Sequence, residues 1–168
     1  MNQTATDCYI RALKQEGMNT IRITKEFTFE MAHALSEYRG KCYNVHGHSY
    51  GLEVTVKGKP LRAEGVEEAG MVMDFSILKQ IVNEAIIQPF DHAFVIHHSD
   101  RRFTYLPKAT KMVIVNYQPT CECMIIDFAE RLQKLFPEGV ALHRLMLRET
   151  ATSYAEWYAE DNKSVQEI

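Results

Sequence analysis

Between Ile21 and His33 apolar and polar positions alternate. Ile21, Ile23, Phe27, Phe29, Met31 and His33 share one face of an expected strand, and Arg22, Thr24, Glu26, Thr28 and Glu30 take the other. Residues 46–57 repeat the pattern, setting His46, His48, Tyr50, Leu52, Val54 and Val56 against Ser49, Glu53, Thr55 and Lys57. The stretch VKGKPLRAEGVEEAG that follows reads as an exposed loop. The period then changes. Asp74 is placed to cap a helix running to about Gln88, with Phe75, Leu78, Ile81, Val82, Ala85 and Ile86 as its apolar stripe and Pro89 as its stop. Thr120 is placed to cap a second helix, striped by Met124, Phe128, Leu132, Leu135 and Phe136 and ended by PEG. MVIVNY is a short strand candidate, and ALHRLMLRET and SYAEWYAE are two closing strands.

The coarse order is strand, strand, helix, helix, strand, strand, which predicts an α+β domain: an antiparallel sheet with two helices packed on one face. Residues 1–19 form a polar N-terminal extension, with a short helix expected over Tyr9–Gln15, and residues 20–168 a single domain. At 168 residues, with 46% hydrophobic and 24% charged, the chain suits one soluble domain with a real core. A net charge of −3 offers no field to displace counterions from nucleic acid. No apolar run approaches the ~18–20 residues that span a bilayer, and MNQTATDCYIRALKQEGM lacks the apolar centre of a secretory signal. Cys8, Cys42, Cys121 and Cys123 are too few and too irregular for a disulfide framework, so reduced thiols in a cytoplasmic protein are expected.

The strand pattern puts imidazoles where hydrocarbon belongs. His46 and His48 project together, and a hairpin brings His33 at the end of one strand beside them at the start of the next. Three such rings need either ordinary hydrogen-bond partners or a metal. Three neutral imidazoles suit zinc and leave its fourth position open, as in catalytic rather than structural sites. Cys42 lies in the loop joining these strands, where a cation and a base would favour its thiolate, unless it is an inert buried thiol. Cys8, Cys121 and Cys123 are read as inert, His97 and His98 as solvated, and His143 as packing on the face of Leu145 and Leu147. Asp91 and His92 form either a proton relay or a surface turn. Glu149, on the same face as Leu145 and Leu147, either pairs with a cation at the sheet end or takes the guanidine-like edge of a ligand.

FTFEMAHAL, CYNVHGHSYGLEV, GMVMDF, FDHAFV, PTCECM and RETATSYAEW occur in the order and spacing of the 6-pyruvoyl-tetrahydropterin synthase superfamily. Over roughly residues 20–160 the chain resembles that superfamily. The three residues between Cys42 and His46 resemble its bacterial 6-carboxytetrahydropterin synthases of queuosine biosynthesis rather than the 6-pyruvoyl enzymes. The resemblance implies the tunnelling fold (T-fold), with sheets paired into a trimeric barrel and trimers stacked into a homohexamer with inter-subunit active sites. It implies Zn2+ on His33, His46 and His48, Cys42 as general base, His92 as proton relay oriented by Asp91, and Glu149 anchoring the pterin. Thr120 and the segment after it, with Glu122, match a substrate-contacting stretch, although Cys121 stands where Ser or Thr is more usual. The implied reaction is conversion of 7,8-dihydroneopterin triphosphate to 6-carboxytetrahydropterin, acetaldehyde and triphosphate. The alternatives are triphosphate elimination to the 6-pyruvoyl product and a non-catalytic pterin- or metal-binding homologue. Arg101, Arg102, Lys108 and Lys111 are triphosphate candidates or a solvated loop, and residues 97–118 exceed the length found in compact members.

Overall fold

A computed structural model describes residues 19–63, 65–105, 107 and 110–162. The N-terminal extension with its expected helix, Cys8 and Lys108 lie outside the described residues. Strand β1 (Ile21–His33) pairs antiparallel with β2 (His46–Gly58) along its whole length, from Ile21 opposite Gly58 to His33 opposite His46. The two alternating segments thus form one long hairpin, and its connecting loop carries a single 3₁₀ turn, Lys41–Tyr43. Helix α1 begins at Phe75, where the Asp74 carboxylate accepts the Ser76 N–H at 2.6 Å. It runs to Val82, widens into a π-helical turn at Asn83–Ile87, and finishes with Gln88–Phe90. Pro89 does not stop the helix at Gln88. The ring enters a ladder already shifted, since the Gln88 N–H bonds back to Asn83, and the helix ends one residue beyond the proline.

The remaining elements are β3 (Ala93–His97), β4 (Met112–Val115), α2 (Cys121–Leu132), β5 (Val140–Thr150) and β6 (Ser153–Tyr158). They complete a six-stranded sheet in the order β4-β3-β1-β2-β5-β6. The sheet is mixed, not antiparallel throughout: β3 runs parallel to β1, and β4 parallel to β3. Both follow long connections rather than tight turns, which is what a parallel neighbour requires. β3 escapes the alternation test because Ala93, Phe94, Val95 and Ile96 are all buried, and a strand covered on both faces reads as a continuous apolar run.

Both helices pack on one face of the sheet, as expected. Phe29, Tyr50, Leu52, Val54, Leu145 and Leu147 meet Leu78, Val82, Ile86, Phe90, Met124, Phe128 and Leu132 in one core. The Phe128 ring lies edge-on to Phe29 at 6.3 Å and to Phe90 at 4.9 Å, so α2 ties α1 to the sheet. Leu135 falls beyond the end of α2 and is exposed, and Phe75 is exposed at the start of α1. A second, smaller cluster of Ala34, Phe94 and Ile96, with Phe103 against it, forms apart from the main core.

One register shift alters a residue's face. Thr55 pairs with Arg144 but Val56 pairs with Leu142, so His143 is the extra residue of a β-bulge. Leu142 takes the core position, and His143 instead accepts the Nε–H of Arg22, from the polar face of β1, at 2.6 Å. The period-2 reading that set His143 beside Leu145 and Leu147 fails at that bulge. No helix of the described residues is long and apolar enough to cross a membrane.

Candidate metal centre and substrate pocket

The β1–β2 register sets His33 directly opposite His46, and Met31 opposite His48. The three rings converge at one end of the hairpin. Their centroids are 4.4 Å apart for His33 and His46, 5.3 Å for His33 and His48, and 5.1 Å for His46 and His48. One ligand nitrogen from each lies within 4.8 Å of the others.

The protons are placed by the backbone. His33 donates its Nδ1–H to the Pro119 carbonyl at 2.6 Å, and His46 donates its own to the Asn44 carbonyl at 2.9 Å, because a carbonyl can only accept. Both Nε2 lone pairs are thereby freed, and they face each other across 3.1 Å. Tetrahedral zinc with Zn–N bonds of ~2.0–2.1 Å demands a separation of about 3.3 Å between donors. The His48 Nε2 is buried without a hydrogen-bond partner, a costly state that a cation at this point relieves. Burial is the main cause depressing the His33 pKa, with the neighbouring His46 and His48 adding to it against the Pro119 hydrogen bond and Glu149. Neutral imidazoles are what a metal ligates. The donor set therefore fits a divalent ion of the zinc class.

Glu149, near the end of β5, joins the group. Its Oε1 lies 3.7 Å from the His33 Nε2 and 4.0 Å from the His48 Nε2, and accepts the Tyr50 hydroxyl at 3.2 Å. An adjoining cavity of about 250 Å³ is lined by His33, Cys42, Thr120, Cys121, Glu122 and Glu149, with Tyr38 and Tyr154 at its walls. Thr120 caps α2 by accepting the Cys123 N–H at 3.3 Å, which fixes where the helix start meets the cavity. Cys42 sits half-buried in the 3₁₀ turn, its carbonyl accepting the Leu35 N–H at 2.9 Å. Cys121 donates its S–H to the Leu147 carbonyl, and burial pushes its thiol up to about 12. It is held as a packed thiol.

Asp91 and His92 lie elsewhere in the chain. His92 adopts a left-handed backbone, φ 57°, a rare state for a residue with a Cβ. Neighbouring bonds enforce it. The His92 N–H donates to the Glu30 carbonyl at 2.6 Å, the Glu30 N–H donates to the Asp91 Oδ1 at 2.9 Å, and Lys111 reaches the carbonyls of Gln88 and Asp91 at 2.6 and 2.7 Å. The His92 Nδ1 is 2.9 Å from the Asp91 Oδ1, with the ring largely exposed. The Glu30 amide is the chief cause holding the Asp91 carboxyl below its usual range. His92 lines a second cavity, of about 620 Å³, beside Glu30, His48, Ser49 and Lys111, and Cys42 is not among its walls. Of the triphosphate candidates, Lys111 is spent on backbone carbonyls, Arg102 is paired with Asp100, and Arg101 is exposed.

Tyr50 is the site residue that the alternation conceals. It occupies a core position two residues after His48, and only its hydroxyl, the polar tip of an otherwise apolar side chain, hints at a partner.

The mixed sheet with two helices on one face and three imidazole donors at its end define a T-fold protein with a candidate metal centre. In a solved structure, 6-pyruvoyl tetrahydropterin synthase from Plasmodium vivax, the same fold is seen with a TM-score of 0.63 over 83% of this chain and 97% of that one, at 18% identity. The family model for 6-pyruvoyl tetrahydropterin synthase matches residues 22–160, and the chain belongs to that family. Among curated relatives, the 6-carboxy-5,6,7,8-tetrahydropterin synthase of Haemophilus influenzae is 39% identical over 141 residues, covering 81% of this chain and 97% of its own length. The protein of the same name from Aquifex aeolicus is 35% identical, covering 82% and 98%.

Proposed function

We propose that the chain is a zinc-dependent 6-carboxy-5,6,7,8-tetrahydropterin synthase, a carbon–carbon lyase that converts 7,8-dihydroneopterin triphosphate and water to 6-carboxytetrahydropterin, acetaldehyde and triphosphate. The observation that carries this reading is the convergence of three imidazole donors beside Glu149, with His33, Glu149 and Cys42 lining one adjoining cavity. The names of the Haemophilus and Aquifex relatives support the carboxy product. Three free thiols among the described residues accord with a cytoplasmic setting.

His33, His46 and His48 hold the zinc, which when bound supplies Lewis-acid polarisation of the substrate's side-chain oxygens. Glu149 accepts hydrogen bonds from the amino-pyrimidine edge of the pterin, and Tyr50 orients that carboxylate. Thr120 and Glu122 form the neighbouring wall. Cys42 removes a proton from the substrate side chain, and His92, oriented by Asp91, passes it on.

Within one chain Cys42 and His92 line different cavities, so this relay needs a second copy. The Cys42 cavity is also smaller than the ~300–1,000 Å³ usual for a ligand site, and a neighbouring subunit supplies the missing wall. Strands β4 and β6 stand at the ends of the sheet, where their outer edges are available for pairing into the proposed trimeric barrel and homohexamer.

The deciding experiment incubates the full chain with 7,8-dihydroneopterin triphosphate and follows pterin mass, acetaldehyde and metal content in one sample. Acetaldehyde with 6-carboxytetrahydropterin is expected, together with loss of both zinc and turnover in His46→Ala. A pyruvoyl product without acetaldehyde, or full turnover after chelation, overturns the reading.

A further inference from the structure

The segment after β3 is not an idle loop, because one of its side chains reaches the turn that carries Cys42. Asp100 caps the 3₁₀ turn Arg101–Phe103 by accepting the Arg102 N–H at 3.1 Å, and its side chain is only 1% exposed. The same carboxylate grips the Arg102 guanidinium twice: Nε–H to Oδ1 at 2.9 Å and Nη2–H to Oδ2 at 2.6 Å. This bidentate geometry fixes the plane of the guanidinium as well as its position.

Thus held, Arg102 extends its third nitrogen to the Tyr43 carbonyl at 2.5 Å, and its guanidinium carbon lies 3.9 Å from the centre of the Tyr43 ring. Tyr43 is the residue after Cys42 and closes the same 3₁₀ turn. On its other side the turn is tied to β1 by the Leu35 N–H bond to the Cys42 carbonyl, two residues past His33. The base of the clamp is itself anchored, since Phe103 packs edge-on against Phe94 of β3 at 4.9 Å.

We propose that Arg102, locked by Asp100, is a positioning residue that holds the Cys42 turn against the cavity wall. The proposal rests on the reading of Cys42 as the base, and it gives the extended 97–105 segment a task. It also makes Arg102 a poorer triphosphate candidate than a free cation, because each of its three guanidinium nitrogens already donates one N–H inside the chain and its charge is paired with Asp100.

The test uses the full-length, zinc-loaded protein. In Arg102→Ala the turnover number kcat falls about 10- to 100-fold, the scale of loss for a displaced reacting group, while KM, zinc content and inhibition by inorganic triphosphate hold. Millimolar guanidinium restores part of kcat by refilling the vacated site. Arg102→Lys, a gentler change should the alanine variant fold poorly, keeps the charge but not the planar fork and falls between the two. Arg39→Ala, which removes an exposed cation from the β1–β2 loop that carries Cys42, controls for charge and leaves kcat unchanged. An unchanged kcat in both Arg102 variants overturns the proposal. So does a raised KM with intact kcat and weakened triphosphate inhibition, which is the signature of a substrate contact. Cys42→Ala separates the two levels: if it keeps full turnover the base assignment fails, and if it is inactive while Arg102→Ala is normal only the clamp fails.

Discussion

The hydroxyl of Tyr50 donates to Oε1 of Glu149 across 3.2 Å, so the carboxylate beside the three imidazoles is steadied from inside the core. Tyr50 is fully buried and stacked on Phe29 at 5.2 Å. Burial first, and then Glu149, push its phenol far above the usual range, so it remains a hydrogen-bond donor at any working pH. Tyr50→Phe keeps the packing and deletes only that donor. A hydrogen bond to a charged group is worth about 1.5–3 kcal/mol, so kcat/KM should fall about 10- to 100-fold with zinc content retained. Steady-state kinetics beside metal analysis check this, and an unchanged kcat/KM removes Tyr50 from the site.

The two thiols that line the cavity should react at different rates. Cys121 is buried, donates to the Leu147 carbonyl and titrates at about 12, so at pH 8 it is almost wholly the unreactive thiol. Cys42 is half-buried in a turn. Iodoacetamide at pH 8 should therefore label the Cys42 peptide at least about tenfold faster than the Cys121 peptide, and abolish turnover in step with that label. Mass mapping of partially labelled protein reads both rates. Equal labelling contradicts the assignment.

Much of this site was legible from alternation alone, since period 2 carried His33, His46 and His48 to one end of one hairpin. The helix caps at Asp74 and Thr120 were equally legible, because a short polar side chain before an apolar stripe has few other roles. What stayed hidden has physical reasons. β3 is buried on both faces and shows no alternation, so it went unseen, and with it the parallel pairing that joins β4 to the sheet. A single bulge residue carried His143 to the other face without leaving a mark on the pattern. The Arg102–Tyr43 contact joins residues 59 apart, and nothing in either neighbourhood foretells it.

Acid should destabilise the metal-stripped protein through two histidines. His33 is depressed chiefly by burial, and His143 by burial with help from Arg22 and Lys57. Both stay neutral in the native state after the unfolded chain begins to take protons at its ordinary value of about 6.5. Over that window the unfolded state binds more protons, so stability is full above it and is lost as pH falls through it. Asp100, held low by the Arg102 hydrogen bond, loses its contribution only below its own ordinary carboxylate range, in a separate and more acidic window. Calorimetry of chelated protein should show a Tm that is level above about pH 7 and declines below about pH 6.5. His143→Gln should shallow that decline. A Tm that does not change between pH 7.5 and 5.5 contradicts the assignment of neutral native histidines.

The separation of Cys42 from His92 predicts complementation between inactive variants. If each reaction centre takes its thiol from one copy and its Asp91–His92 pair from another, Cys42→Ala and His92→Ala are each inactive alone. Unfolding and refolding them together at equal concentration scatters the two chains through each oligomer. A centre is then intact when one neighbour donates an unaltered Cys42 and the other an unaltered His92, so about a quarter of wild-type turnover should return. The Asp91–Glu30 and His92–Glu30 bonds fix the relay within its own chain, so His92→Ala disturbs it without reaching the Cys42 cavity of that chain. Size-exclusion chromatography confirms that mixed oligomers formed. If they form and remain inactive, base and relay belong to the same chain, and the present geometry would have to rearrange for His92 to reach Cys42.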